Sequence, residues 1–312
     1  MPLWPTMKTN MKNAYLTLFL TALLASGCTS GSRPTDKEHL YVSILPLRSI
    51  VGQIVGDDFR VDVLVPAGAS PESFEPSPRQ YVALNRSKLI FNVGLIDFEQ
   101  NLLRDFPDRQ KLVNLSRGIR LLEGSCSHGH THEHRHGPVG KSDGHSAAAS
   151  AHGIDPHIWT SPRALRQMAV NAYEALHASF PDSIRYTKNY EKLLVRLDSL
   201  DTACTAALRQ ADVRTIVIYH PALTYYAADY GLEQLAVEHD GKEPSARHLA
   251  RLIERARAKK VKRIFYQAQY PSSSVEVIAE DIGARSVRID PLREDVIENI
   301  GEITRQLTAR NE

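Results

Sequence analysis

Cysteine is nearly absent from this chain, with three among 312 residues, at positions 28, 126 and 204. Cys126 falls in a low-complexity stretch and Cys204 in a helical pattern, so no structural disulfide is expected and an apolar core must hold the fold. The 42% hydrophobic content is enough for one. Charge of either sign is not in excess. The net is +2 with histidine neutral and no long Lys/Arg run occurs, which argues against nucleic acid or an anionic lipid surface as electrostatic partners. Hydrolase signatures are missing as well. His132, Glu133 and His134 are too closely spaced for a His-Glu-x-x-His zinc site, and no Gly-x-Ser-x-Gly occurs. Gly140, Lys141 and Ser142 lack the upstream glycine of a phosphate loop, because position 135 is Arg135. What the chain has in quantity is histidine, 13 residues.

No apolar run is long enough to span a bilayer comfortably. The longest, Ala14 to Ala25, follows Lys8 and Lys12 and precedes Ser26, Gly27 and Cys28, which together read as an export signal. The segment resembles a bacterial lipoprotein signal, in which Cys28 would be acylated and become the mature N-terminus, attaching the protein to a membrane at the periplasmic or cell-surface side. Residues 29–39 are polar, with Gly31 and Pro34, and suit a tether.

From Leu40 onward short strands alternate with helices. Val42 and Ile44 open a strand, Ser49 is placed to cap a helix running to about Val55, and Val61, Val63 and Val65 alternate before Pro66 and Gly68. Leu89 to Val93 fits a parallel strand buried on both faces, and Leu112 to Leu115 adds another. The pattern stops across residues 125–153, where Gly, Ser, Ala and His replace it, so an irregular insertion is expected. Helical spacing resumes at Leu165, Met168, Ala172 and Leu176, then runs through a stretch of residues 183–211 that is long for one globular helix. Strands at Thr215 to Tyr219, Val261 to Tyr266 and Ser286 to Ile289 alternate with helices around Leu252 and Ile278, the latter closed by Gly283. The expected architecture is α/β: an N-terminal lobe over residues 40–182, a long linking helix over 183–211 and a C-terminal lobe over 212–312, with mainly parallel sheets.

Histidines 128, 130, 132, 134 and 136 alternate with small or polar residues inside the insertion, and His145 and His152 extend the tract. Imidazole is the commonest metal ligand, and a pliant chain bearing several can wrap a borderline-soft ion such as Zn²⁺. Four further positions fall at or near the carboxyl ends of strands, where open α/β sheets bind ligands: Glu72, His157, His220 and Asp290. Two imidazoles and two carboxylates, two from each lobe, supply four donors and neutralise a divalent cation, leaving little room for a catalytic water. Such a closed site implies capture of metal, not an enzyme.

The run Val65, Pro66, Ala67, Gly68 with Phe74, Glu75, Pro76, Ser77, Pro78 resembles the signature loop of the metal-specific, zinc and manganese type solute-binding proteins of bacterial ABC transporters. Asp155, Pro156, His157, Ile158, Trp159 resembles the segment after that family's His-rich loop. Tyr219, His220, Pro221 resembles its third ligand position, Glu243 to Ala246 its second glutamate-proline-serine motif, and Asp290, Pro291, Leu292 its final ligand. The resemblance covers the chain from about Leu40 to its end. It implies two lobes bridged by a rigid helix, a metal site between them, and delivery of the ion to a membrane permease driven by an ATPase; a monomer is expected. It also carries His157, His220 and Asp290 over as ligands. The family's first ligand is usually histidine, directly after the proline matching Pro71, and here Glu72 stands there, which hardens the site and keeps Mn²⁺ open beside Zn²⁺. Histidine at 220 and the tract pull back toward zinc. Glu75 and Glu243 are candidates for supporting roles, and His239 is a spare candidate ligand. The competing functions are an exported metallohydrolase that leaves one coordination position open, and an adhesin or metal buffer whose tract is the functional part.

Overall fold

Eight strands and nine α-helices alternate through the described residues of the computed structural model, which are 37–124, 153–181, 183–238, 243–270 and 273–309. The export signal with Cys28, the histidine tract, Cys126 and His239 lie outside them. The first lobe runs β1 (His39–Val42), α1 (Leu45–Val55), β2 (Arg60–Val63), α2 (Pro78–Arg86), β3 (Ile90–Asn92), α3 (Asp97–Leu103) and β4 (Leu112–Asn114), with α4 (Pro162–Ser179) after the insertion. A 28-residue helix, α5 (Ile184–Ala211), comes next. The second lobe comprises β5 (Thr215–Ile218), α6 (Thr224–Tyr230), β6 (Glu233–Ala236), α7 (Ala246–Ala258), β7 (Arg263–Gln267), α8 (Ser273–Ile282), β8 (Arg285–Ile289) and α9 (Val296–Thr308).

Each lobe holds a four-stranded sheet of the same topology, β2-β1-β3-β4 and β6-β5-β7-β8, and every pairing is parallel. Parallel strands need crossovers that cover their faces, so the central strands bury apolar residues: Leu40, Val42, Ile90 and Phe91 in one lobe, Ile216 to Ile218, Ile264 and Phe265 in the other. Both sheets reverse strand order beside their first strand, at β1/β3 and at β5/β7, and a crevice opens at the carboxyl ends there.

Helix α5, about 42 Å long at 1.5 Å per residue, buries Tyr186, Leu193, Leu197, Leu200, Cys204 and Leu208. Asn189 of its first half donates to the Ile54 carbonyl at the end of α1, and Cys204 of its second half meets Thr304 of α9. One continuous apolar cluster therefore passes from the first sheet through α5 to α9, and a second, on the far side of the C-terminal sheet, gathers Val217, Leu235, Leu252, Ile264 and Ile278. Removing a buried leucine such as Leu197 from that spine would cost about 2–5 kcal/mol.

Ser49 does not cap α1. The helix begins at Leu45, because Pro46 preorganises its first turn, and Ser49 lies inside it, accepting from the Gln53 side chain. Elements α2, α3, α6, β6 and α9 add to the pattern expected from the sequence. Among the described residues no helix is long and apolar enough to cross a membrane.

Candidate metal centre

The loop after β2 takes its shape from the start of α2. Ser77 and Gln80 form a reciprocal capping box there, Pro78 occupies the first helical turn, and the Gln80 amide donates to the Leu64 carbonyl at 2.9 Å. Phe74 packs edge-on against Phe98 of α3, ring centres 5.2 Å apart. These anchors hold a short 3₁₀ turn, Pro71–Ser73, at the crevice and aim the Glu72 carboxylate into it. One Glu72 oxygen accepts from the Ser70 hydroxyl, while the other, Oε1, lies 3.4 Å from His157 Nε2 and 3.4 Å from His220 Nε2.

His157 enters from the segment that leads into α4. Asp155 Oδ1 accepts from its backbone N–H at 2.8 Å and lies 2.9 Å from its Nδ1, while the Trp159 indole donates to the Pro291 carbonyl at 3.0 Å and pins the same turn against the other lobe. His220 comes directly after β5 at the switch point. Its Nδ1 lies 2.8 Å from Glu238 Oε1, Gln267 at the end of β7 brackets its backbone by accepting from the N–H and donating to the carbonyl, and the Tyr270 ring stacks on its imidazole at 4.9 Å. A carboxylate at each Nδ1 selects the Nδ1–H tautomer, so both Nε2 lone pairs turn inward. The two Nε2 atoms are 3.2 Å apart.

Both histidines are buried, with side chains 3% exposed, and Glu72 is 17% exposed. Burial opposes charge on all three, yet mutual attraction prevails. Burial would raise Glu72, but hydrogen bonds from His157 and His220 hold it well below the ordinary carboxylate range. Burial would lower His157, but the charge and hydrogen bond of Asp155, then Glu72, raise it to about 10. His220 is likewise raised against burial, by Glu238 and Glu72. These directions favour one proton shared among the Nε2 atoms and Glu72 when no metal is bound, and a divalent cation would take the place of that proton.

Among the described residues, Glu72, His157 and His220 are the group whose donor atoms all fall within 4.8 Å of one another. Edges of 3.2, 3.4 and 3.4 Å match one face of a tetrahedron. An ion at its centre sits roughly 2.0 Å from each donor, the distance of Zn²⁺ to imidazole nitrogen and carboxylate oxygen. An octahedral face of the same edges would need about 2.4 Å, a calcium-like length, for which an imidazole pair is the wrong chemistry. The cavity beside the triangle, bounded by Gln267, Tyr270, Pro291 and Leu292, measures about 20 Å³ for the centres of water molecules, room for an ion with one small ligand.

Asp290 lies outside the triad. It sits just after β8 as expected and is half-buried, but its Oδ1 accepts from the Leu292 N–H at 3.0 Å and its carbonyl from Asn299. Glu75 is exposed. Glu243 accepts from the Tyr219 hydroxyl and from Ser274, joining the end of β5 to α8. Sequence patterns leave four contributors unassigned: the orienting roles of Asp155 and Glu238, the Gln267 bracket and the Tyr270 stack. Asp155 stands two residues before His157, the spacing at which an aspartate captures nearby backbone N–H groups. Glu238 lies after β6, a strand with no β-branched residue to announce it.

Residues 40–307 match the family described as "Zinc-uptake complex component A periplasmic" (ZnuA). The chain is 28% identical over 287 residues to "High-affinity zinc uptake system protein ZnuA" of Bacillus subtilis, covering 88% of this chain and 85% of that protein. It is 27% identical over 288 residues to "Zinc-binding lipoprotein AdcA" of Streptococcus pneumoniae, covering 90% of this chain, which spans only 55% of that longer relative. A solved structure described as "Crystal structure of ZnuA" superposes with a TM-score of 0.75 at 30% identity, over 89% of this chain and 100% of that one. With the match running through both lobes and every element that carries the triad, the chain belongs to the ZnuA family.

Proposed function

We propose that this protein captures a divalent transition metal outside the cytoplasm, Zn²⁺ before Mn²⁺, and hands it to an ABC-type permease and its ATPase, tethered meanwhile through acylated Cys28. The observation that carries the reading is the triangle of Glu72 Oε1, His157 Nε2 and His220 Nε2, whose edges fit one face of a tetrahedral zinc site. Each residue has a part. His157 and His220 present neutral nitrogen, Asp155 and Glu238 fix their tautomer and rotation, and Glu72 supplies anionic charge. Asp290 is the proposed fourth donor, reached by turning its carboxylate from Leu292 toward the cavity. The burial of both imidazoles and the small cavity support holding an ion over activating a water on it, so the site suits binding and release, not hydrolysis.

The histidine tract, His128, His130, His132, His134, His136, His145 and His152, supplies weaker secondary sites in this reading, and the protein acts as a monomer. The test is a zinc titration of the mature domain lacking residues 127–145. One tight equivalent should remain while the weak ones disappear. Loss of all tight binding would move the function to the tract and favour the metal-buffer alternative.

A further inference from the structure

The two segments that carry the imidazoles are joined by a phenol as well as by the triad. Tyr225, on α6 five residues after His220, is 4% exposed. Its hydroxyl donates to the Asp155 backbone carbonyl at 2.8 Å and accepts from the Leu122 N–H at 3.2 Å. Those partners face each other across a short antiparallel bridge: Asp155 N–H donates to the Leu122 carbonyl at 2.9 Å, Gly124 N–H to the Gly153 carbonyl at 2.9 Å, and Glu123 pairs with Ile154. The bridge is tight. A Cβ placed on Gly124 would lie 2.7 Å from Asp155 Cβ and 3.0 Å from its Cα, closer than side-chain carbons approach one another.

We propose that Tyr225 is a positioning residue for metal capture: by fastening the 122–124/153–155 bridge of one lobe to the helix behind His220 of the other, it sets the placement of Asp155 and, through it, the separation of the two imidazoles. The chain of contacts is continuous, from the Tyr225 hydroxyl to the Asp155 carbonyl, from the Asp155 carboxylate to His157 Nδ1, and from His157 Nε2 to His220 Nε2. From His220 the backbone leads back to Tyr225, closing a ring across the lobe boundary. Burial pushes the phenol up to about 12, with the Leu122 N–H pulling the other way, so the hydroxyl keeps the proton it donates. The same bridge joins the two ends of the histidine-bearing insertion, and Tyr225 holds that junction in register with the triad.

This inference rests on the metal-capture reading. Its test is zinc affinity, by competition with a chromophoric chelator, of the full mature chain and of Tyr225→Phe, Gly124→Ala and Tyr226→Phe, with the visible spectrum of each Co²⁺-loaded form. Tyr226 is the control: it neighbours Tyr225 and is equally buried, but its hydroxyl meets Thr304, away from the triad. Tyr225→Phe and Gly124→Ala should each weaken zinc by about 3- to 10-fold, at or below the roughly 10- to 100-fold lost with a group that directly supports a ligand. Both should also alter the tetrahedral Co²⁺ bands, while Tyr226→Phe lowers melting temperature alone. Wild-type affinity and spectrum in Tyr225→Phe, or an equal loss in Tyr226→Phe, would overturn the role of Tyr225 while leaving capture intact. Absence of a tight site in the wild type would overturn capture itself.

Discussion

Replacing Glu72 separates a donor from a bystander. Its Oε1 completes the triangle at 3.4 Å from each imidazole, and hydrogen bonds from both hold it ionised. Deleting it by Glu72→Ala leaves two imidazoles, each still held by its Nδ1 carboxylate, and removes the only one of the three triad donors that brings negative charge to the ion. Groups that merely support a ligand cost roughly 10- to 100-fold in metal affinity, so loss of a direct donor should reach the upper end or beyond, about 100-fold. At 1.4 kcal/mol per decade that is about 2.8 kcal/mol. His157→Ala and His220→Ala provide reference losses. Glu72→His turns two imidazoles and a carboxylate into three imidazoles and should raise the Zn²⁺/Mn²⁺ affinity ratio by about tenfold or more, because imidazole suits zinc and oxygen donors suit manganese. Competition titrations of the loop-deleted protein with both metals read all of this. Unchanged affinities and an unchanged ratio in wild type, Glu72→Ala and Glu72→His would refute the reasoning.

The same geometry dictates three further outcomes. Asp155→Asn and Glu238→Gln, which each weaken the grip on one Nδ1–H, should each reduce zinc affinity by roughly 10- to 100-fold while leaving stoichiometry at one; calorimetry showing wild-type affinity in both would remove the carboxylates from the site. His157 is raised to about 10 and Glu72 lowered, so in the metal-free protein the histidine's stabilisation is complete below its ordinary pKa and fades as pH rises through about 10, while that of Glu72 is complete above its ordinary pKa and fades as pH falls. Zinc must displace the intervening proton, so binding near pH 7 should release about one proton and weaken by roughly tenfold per unit between pH 8 and 6; heats of binding independent of the buffer's ionisation enthalpy would contradict this. Cys28→Ala should yield a folded protein found in the soluble fraction, since acyl chains supply the roughly two signals that stable anchoring needs; retention on membranes after a carbonate wash would count against acylation.

Much of the fold is legible because parallel sheets announce themselves. The apolar runs at Leu89 to Val93 and Thr215 to Tyr219 have no partner but a buried strand, and the buried residues of α5 recur at helical spacing through 28 residues. Less visible is β6, Glu-Gln-Leu-Ala, half-exposed and without β-branching, which takes its conformation from pairing with β5. Helix α9 lies beyond the last strand that the apolar pattern marks, and its buried face is set by α5 and Tyr226. The site divides in the same way. His157 and His220 are legible from their motifs, and Glu72 from its place beside Pro71. The carboxylate that steers His220 stands 18 residues away in the loop after the weakly marked β6, so only pairing of β5 with β6 brings it near. Asp290 is at its expected strand end, but a strand end fixes where a backbone emerges and leaves open which way a half-buried carboxylate turns.

The central claim is that a single ion binds at the triad, and the most direct test is zinc-edge X-ray absorption with anomalous diffraction on the loop-deleted protein loaded with one equivalent of Zn²⁺. Four-coordinate zinc is predicted, with imidazole scattering from His157 and His220, ligand distances of about 2.0–2.2 Å, an oxygen from Glu72, and a fourth from Asp290. An anomalous peak elsewhere, or a zinc spectrum without two imidazoles, would contradict the account.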